Sequence, residues 1–191
     1  TAQEEHPNWI AYDIGNVWDI MTLASEKDTL WIGGINGLIK LNKMTREYNT
    51  YKLTDYGFKD NKIFSILVDK QGKKLLHTSN GIITFDGNKW TMIDSLAKGR
   101  SLFFHKDMMF DKQGDLWILR FLGDGNLFGD IAKYDGNNWT VYSTTDSASQ
   151  FYNVLGFAFD SLGHIWTWVF SEGINEFDGS KWIFHKGIGD L

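Results

Sequence analysis

Asp19, Ser65, Asp107 and Gly156 each stand two residues beyond Val17, Ile63, His105 and Val154 in short, otherwise apolar runs. A packed interior gives no reason to prefer small or polar side chains there, whereas a channel lined by water or ligand does. Two carboxylates, Asp19 and Asp107, at equivalent positions around one axis would approach each other and share a cation or an amine. The alternative is that they bond backbone at a crowded axis. Buried carboxylates would carry perturbed pKa values. His105 and Asp107 are an i, i+2 pair on one strand face. With Asp19 they could supply the acid and base of a lyase or hydrolase.

A second group sits in the Gly-rich stretch "RFLGDGNLFGD" at 120–130. Arg120, Asp124 and Asn126 would orient a sugar or peptide against the rings of Phe121 and Phe128, as binding loops do; the alternative is a long hairpin whose rings tuck back into the fold. Tyr56, in "TDYGFKDN" at 54–61, falls on the same face. Trp18 and Trp168 are further ligand candidates, because they stand off the positions at which the other tryptophans recur.

Other chemistry is weakly signalled. The five histidines show no metal-ligand spacing, and no serine sits in a nucleophile elbow. Cysteine is absent, which excludes disulfides, thiol catalysis and cysteine zinc sites. No catalytic residue, metal or cofactor is assigned. The net charge is −5 with both signs interspersed, so neither nucleic acid nor an anionic membrane surface is an expected partner. No apolar run is long enough to span a bilayer. The expected partner is a small molecule, a glycan or a protein. The opening "TAQEEHPNW" suits a mature exported protein after signal-peptide removal, hence a periplasmic or extracellular location.

The elements that would position these residues follow from a repeat. "DKQG" at 69–72 recurs at 111–114, and "DSLG" follows at 160–163. Asp69 to Asp111 is 42 residues and Asp111 to Asp160 is 49; Trp90, Trp139 and Trp182 step by 49 and 43. A worn copy, "NVWDIMTLASEKDTLWIGGINGLIKLNK", comes first. The second strand gives Trp31, Leu76, Trp117 and Ile165-Trp166 at comparable steps.

Each copy reads as four short strands. An apolar run ends in a DxxG turn, in which Asp accepts from downstream backbone and Gly takes positive φ. The Asp-Gly pairs at 86–87, 135–136 and 178–179 close a hairpin before the last strand. Nine Trp, fourteen Phe and seven Tyr suit such half-buried pleated surfaces. Trp31, Trp117 and Trp166, like Trp90, Trp139 and Trp182, recur at fixed positions and are therefore assigned to packing.

Four-stranded units of this length indicate an all-β β-propeller of four antiparallel blades. The blades are placed at 14–53, 61–94, 103–143 and 152–186, with an extra outer strand at 8–13. That strand leaves Trp9, Ile10 and Tyr12 on an edge that must be covered or paired. A four-bladed ring, an arc of a longer propeller and a pair of chains joined through this edge all satisfy that need.

"TLWIGGINGLIKL", D-x-x-G-x-L-W-I and "FDGNKWT" resemble the two-component regulator propeller repeat, from about Trp9 to Trp182. The resemblance implies an extracytoplasmic sensor region of a hybrid two-component system, non-enzymatic and responsive to carbohydrate-derived ligands. Members of the family have more blades and continue into a transmembrane helix and kinase. Blade two departs from the pattern with "KKLLHTS" where the family has "LWIGT", and blade three carries the insertion.

Overall fold

The computed structural model describes residues 19–78, 81–93, 108–121, 129–142, 154–169 and 173–186. These form four four-stranded antiparallel sheets, each pairing in chain order, the blades of a β-propeller. Blade one holds β1 (Ile20–Glu26), β2 (Thr29–Gly34), β3 (Gly37–Asn42) and β4 (Tyr48–Tyr51); blade two holds β5 (Ile63–Val68), β6 (Lys74–Thr78), β7 (Gly81–Phe85) and β8 (Trp90–Ile93). Blade three holds β9 (Met108–Phe110), β10 (Leu116–Phe121), β11 (Gly129–Tyr134) and β12 (Trp139–Tyr142). Blade four holds β13 (Val154–Phe159), β14 (Ile165–Val169), β15 (Gly173–Phe177) and β16 (Trp182–Lys186). The outer strand expected at 8–13 lies outside the described residues.

The repeated tetrapeptide makes the turn its composition demands. Oδ1 of Asp69 accepts from the backbone N–H of Gln71 and Lys73, and Gly72 N–H returns to Asp69 O. Asp160 repeats this with Leu162, His164 and Gly163. The glycine φ values are 81°, 94° and 91° at Gly72, Gly114 and Gly163, where a Cβ would be strained. In the Asp-Gly turns Gly holds the first central position, while Asp86, Asp135 and Asp178 accept two backbone N–H bonds each.

Strand alternation gives each blade two apolar faces, and each front face packs on the back of the next blade. Trp31 and Leu38 meet Ile66, Leu76, Ile83 and Phe85 between blades one and two. Leu75 and Ile82 meet Met108, Leu116, Ile118 and Ala132 between blades two and three. Trp117, Leu119 and Ile131 meet Phe157, Ile165 and Phe177 between blades three and four. Among the described residues no apolar cluster joins blade four to blade one; Ile32, Ile39 and Leu41 form their own buried cluster on the back of blade one.

Two alignments read from the sequence need correction. The residue at the tryptophan position of blade two is Leu75, six beyond its turn aspartate like Trp117 and Trp166, and not Leu76. The inner strands carry a register shift at the same place: Ile20 to Thr22, Ile63 to Ser65 and Val154 to Gly156. Thr22, rather than Asp19, is therefore in register with Ser65 and Gly156. Asp19 precedes β1 and adopts φ 57°.

Candidate functional site

The connection from β4 to β5 builds a groove at one end of blade one. Leu53, wholly buried, anchors a single 3-10 turn, Leu53–Tyr56. Gly57 ends the turn at φ 87°, its N–H donating to Thr54 O while the N–H of Phe58 donates to Leu53 O. Oδ1 of Asn61 accepts from Thr54 N–H at 3.0 Å, which ties the far end of the connection to its start. Between this connection and the β2–β3 turn lies a cavity of about 610 Å³. Asn36, Thr50, Thr54 and Asn61 give it hydroxyl and amide walls, and Lys52 and Asp55 one charge of each sign. Such a lining can exchange many neutral hydrogen bonds with a polyhydroxylated ligand without drawing a net charge.

A second arrangement recurs from blade to blade. Trp117 Nε1 donates to Asp111 Oδ2 at 2.8 Å, and Trp166 Nε1 donates to Asp160 Oδ2 at 3.0 Å. In blade one, whose turn is a residue shorter, Glu26 takes the aspartate's part and accepts from Trp31 Nε1 at 2.8 Å. Lysines complete two of these pairs. Lys133 lies 3.4 Å from Asp111 and 2.6 Å from Asp115, with its ammonium over the Trp117 ring at 5.4 Å. Lys74 crosses from blade two to lie 3.5 Å from Glu26 and 4.7 Å from the Trp31 ring centre.

In blade four Glu176 occupies the cross-strand position that Lys133 holds in blade three. Its two oxygens are taken by His164 Nδ1 at 2.8 Å and His185 Nε2 at 2.9 Å, and His185 stacks on Trp166.

The acidities follow from these contacts. Burial opposes the charged form of Asp111, but the Trp117 indole, the Asp115 N–H and Lys133 outweigh it and hold the carboxyl below its ordinary value. Glu26 is lowered in the same way, against burial, by Trp31 and Lys74. The Trp166 indole is the main cause of the lowering at Asp160. Asp178 is drawn down to about 2 by the N–H groups of Lys181 and Ser180. Asp111, Asp160 and Asp178 are tied into turns and Glu26 to an indole and a lysine, which marks them as framework rather than as proton carriers.

The residues singled out in the sequence do not converge on one spot. Tyr56 is half exposed, and its ring lies 5.0 Å from Trp90 on the outer strand of blade two. Ser65 sits on the inner strand of the same blade, opposite His77. Trp168, 56% exposed, stands on the front of blade four, paired with Gly156 and Ile174. Arg120 and Phe121 end β10, opposite Asp130 and Gly129. Trp18, His105, Asp107, Asp124, Asn126 and Phe128 lie outside the described residues. Asp19, the remaining member of the supposed axial pair, is off register for the reason given above. Thr22, in its place, accepts the N–H of Ile66 from the neighbouring blade at 3.2 Å, so a polar residue here serves interblade bonding. The sequence signal that was missed is the groove's set of amides and hydroxyls, which carry no motif and meet only when the 52–62 connection folds back.

No family model and no curated protein matches the chain. Solved structures do. The extracellular domain assigned to a one-component system of B. thetaiotaomicron superposes with a TM-score of 0.67 at 21% identity, over 91% of this chain and 24% of that one. The extracellular domain assigned to the hybrid two-component system BT3049 of the same organism gives 0.64 at 16%, over 88% and 22%. The chain thus spans about a quarter of the length of these domains. A virginiamycin B lyase from Staphylococcus aureus with quinupristin gives 0.67 at 14% identity, over 94% and 59%. These likenesses establish the propeller fold.

Proposed function

We propose that the chain is a non-enzymatic ligand-recognition module, a single propeller domain or propeller segment working in a periplasmic or extracellular sensor, and that its ligand is carbohydrate-derived. The observation carrying this reading is the groove of Asn36, Thr50, Thr54 and Asn61, whose neutral hydrogen-bonding walls suit sugar hydroxyls. The likeness to extracellular domains assigned to one- and two-component systems supports the sensing role and the location. The groove, rather than the axis, is the first place to look. Tyr56, Ser65, Arg120, Phe121 and Trp168 remain secondary candidates.

The test is calorimetric titration with a panel of oligosaccharides, using the wild-type chain, Asn36→Ala and Thr50→Val. Saturable binding weakened about tenfold by either change supports the reading, since each would leave a ligand hydroxyl unpaired. Binding indifferent to both changes overturns the site.

An enzymatic reading is favoured by one observation, the likeness in shape to virginiamycin B lyase. It predicts that the bound molecule is consumed, and that replacing Asp19, His105 or Asp107 abolishes turnover.

A further inference from the structure

At the cleft between blades two and three a leucine stands where the other blades carry a tryptophan ring. In blades one, three and four the tryptophan of the second strand donates its N–H to the turn carboxylate at 2.8, 2.8 and 3.0 Å. In blades one and three that ring is walled by aromatic residues of the next blade: Phe85 lies edge-on to Trp31 at 6.2 Å, and Phe159 edge-on to Trp117 at 6.2 Å.

Blade two keeps the turn carboxylate, and blade three supplies aromatic walls, but the ring is absent. Asp69 holds the same turn through Oδ1, and its other oxygen receives no side-chain donor among the described residues. The walls are present, because Tyr134 and Phe110 of blade three occupy the positions of Phe177 and Phe159 in blade four. The tryptophan itself is replaced by Leu75. The tyrosine that flanks it in blades one and three (Tyr51, Tyr142) is replaced by Ile93. Leu67, in place of Ala24 and Ala158, refills part of the volume.

A cavity of about 140 Å³ stays open there, bounded by Asp69, Leu75, Thr84, Ile93, Phe110 and Tyr134. It adjoins an outer groove of about 390 Å³ that shares Lys73, Thr84, Ile93 and Tyr134 with it. The smaller volume is of the size that takes up a benzene-sized ring, and the cleft is open to solvent, with Lys73 and Asp135 also on its lining.

We infer that the cleft between blades two and three binds an indole, its N–H directed to the free oxygen of Asp69 and its faces against Leu75, Ile93 and Tyr134. Three copies of the repeat define this occupant within the same molecule. The indole can arrive as a free heteroaromatic or as the tryptophan side chain of a partner, and the two share one chemistry. Nothing in the inference depends on the groove at Asn36.

Calorimetric titration of the full chain with indole, indene and N-acetyltryptophanamide tests it. Saturable binding of indole is expected. Indene, which has the same shape but no N–H, should bind about tenfold more weakly, the usual worth of a hydrogen bond to a charged acceptor. Leu75→Trp fills the cavity with the chain's own ring and should abolish indole binding; Leu75→Phe, a smaller change, should weaken it severalfold and guards against a misfolded variant. N-acetyltryptophanamide binding tighter than indole would support a partner's side chain, and its exclusion would support a free heteroaromatic. Absence of saturable indole binding, or equal affinity of the wild type and a folded Leu75→Trp, would overturn the inference.

Discussion

The indole of Trp117 donates to Oδ2 of Asp111 at 2.8 Å, while Oδ1 of the same carboxylate accepts the N–H of Asp115. One side chain thus closes the turn and also fixes the ring that fills the next interblade core. The six-residue spacing from aspartate to tryptophan in blades three and four is the register at which both bonds can form at once.

Removing the N–H while keeping an aromatic ring should expose this coupling. Trp117→Phe keeps an aromatic ring in a site where tryptophan is 3% exposed, but leaves Asp111 without its indole donor. A bond to a charged group is worth about 1.5–3 kcal/mol, and lost ring volume adds to the cost. Chemical denaturation should therefore show Trp117→Phe destabilised by at least that amount. A change within error of zero would mean that the bond is not a source of stability.

Acid should unfold the protein through the same groups. Glu26, Asp111, Asp160 and Asp178 all have folded-state values below their ordinary 4.5 or 3.8, Asp178 at about 2. The unfolded chain then binds more protons than the native one, so their stabilisation is complete above about pH 4.5 and is lost as pH falls toward 2. Lys133 is shifted the other way: burial opposes its charge, but Asp115 and Asp111 outweigh it, so its contribution fades only as pH rises past 10.5. Unfolding free energy measured between pH 2 and 6 should fall with acid, and Asp111→Asn should flatten the slope. A parallel curve for that variant would rule out Asp111 as a contributor.

The readable part of the fold was the part fixed by residue type. DxxG and Asp-Gly turns need an acceptor at one position and positive φ at another, so few residues serve and the turns show in the sequence. The register shift beside Met21, Phe64 and Leu155 inserts one residue that can be of any type, and so leaves no mark. The shift is common to the three strands, so it could not expose the error of matching Val17, rather than Ile20, with Ile63 and Val154, which put Asp19 where Thr22 belongs. The missing ring of blade two was visible as "KKLLHTS", but the cavity depends on Phe110 and Tyr134, which come from another blade. The groove at Asn36 depends in the same way on a connection folding back over a turn.

Blade four contains a polar defect that should be repairable. Thr167 and Asn175 pair across β14 and β15, are 1% and 0% exposed, and among the described residues nothing bonds Thr167 Oγ1 or either amide atom of Asn175. The same positions hold Leu76 with Ile83 in blade two and Ile118 with Ala132 in blade three. Thr167→Val keeps the shape and removes a buried hydroxyl without a bond, so thermal and chemical stability should rise by about 1 kcal/mol or more. A loss of stability would mean that the hydroxyl has a bonded water or another partner.

Two glycines separate steric contact from backbone strain. Gly87 opens the Asp-Gly turn at φ 104°, and a Cβ there would meet nothing within 4 Å. Gly87→Ala therefore tests conformational strain alone, with an expected cost of about 1–2 kcal/mol. Gly33 lies in β2, and its Cβ would fall 2.7 Å from Ile63 Cγ2 of the next blade and 2.8 Å from Thr22 Cγ2. Both obstacles are β-branched side chains with little freedom to turn, and Ile63 is wholly buried. Gly33→Ala must push blades one and two apart, at a cost of about 1–3 kcal/mol or more. Urea unfolding of the two variants should therefore place Gly33→Ala as the more damaged. The reverse order would mean that the blades separate easily and that the contact of Gly33 with Ile63 does not hold them in register.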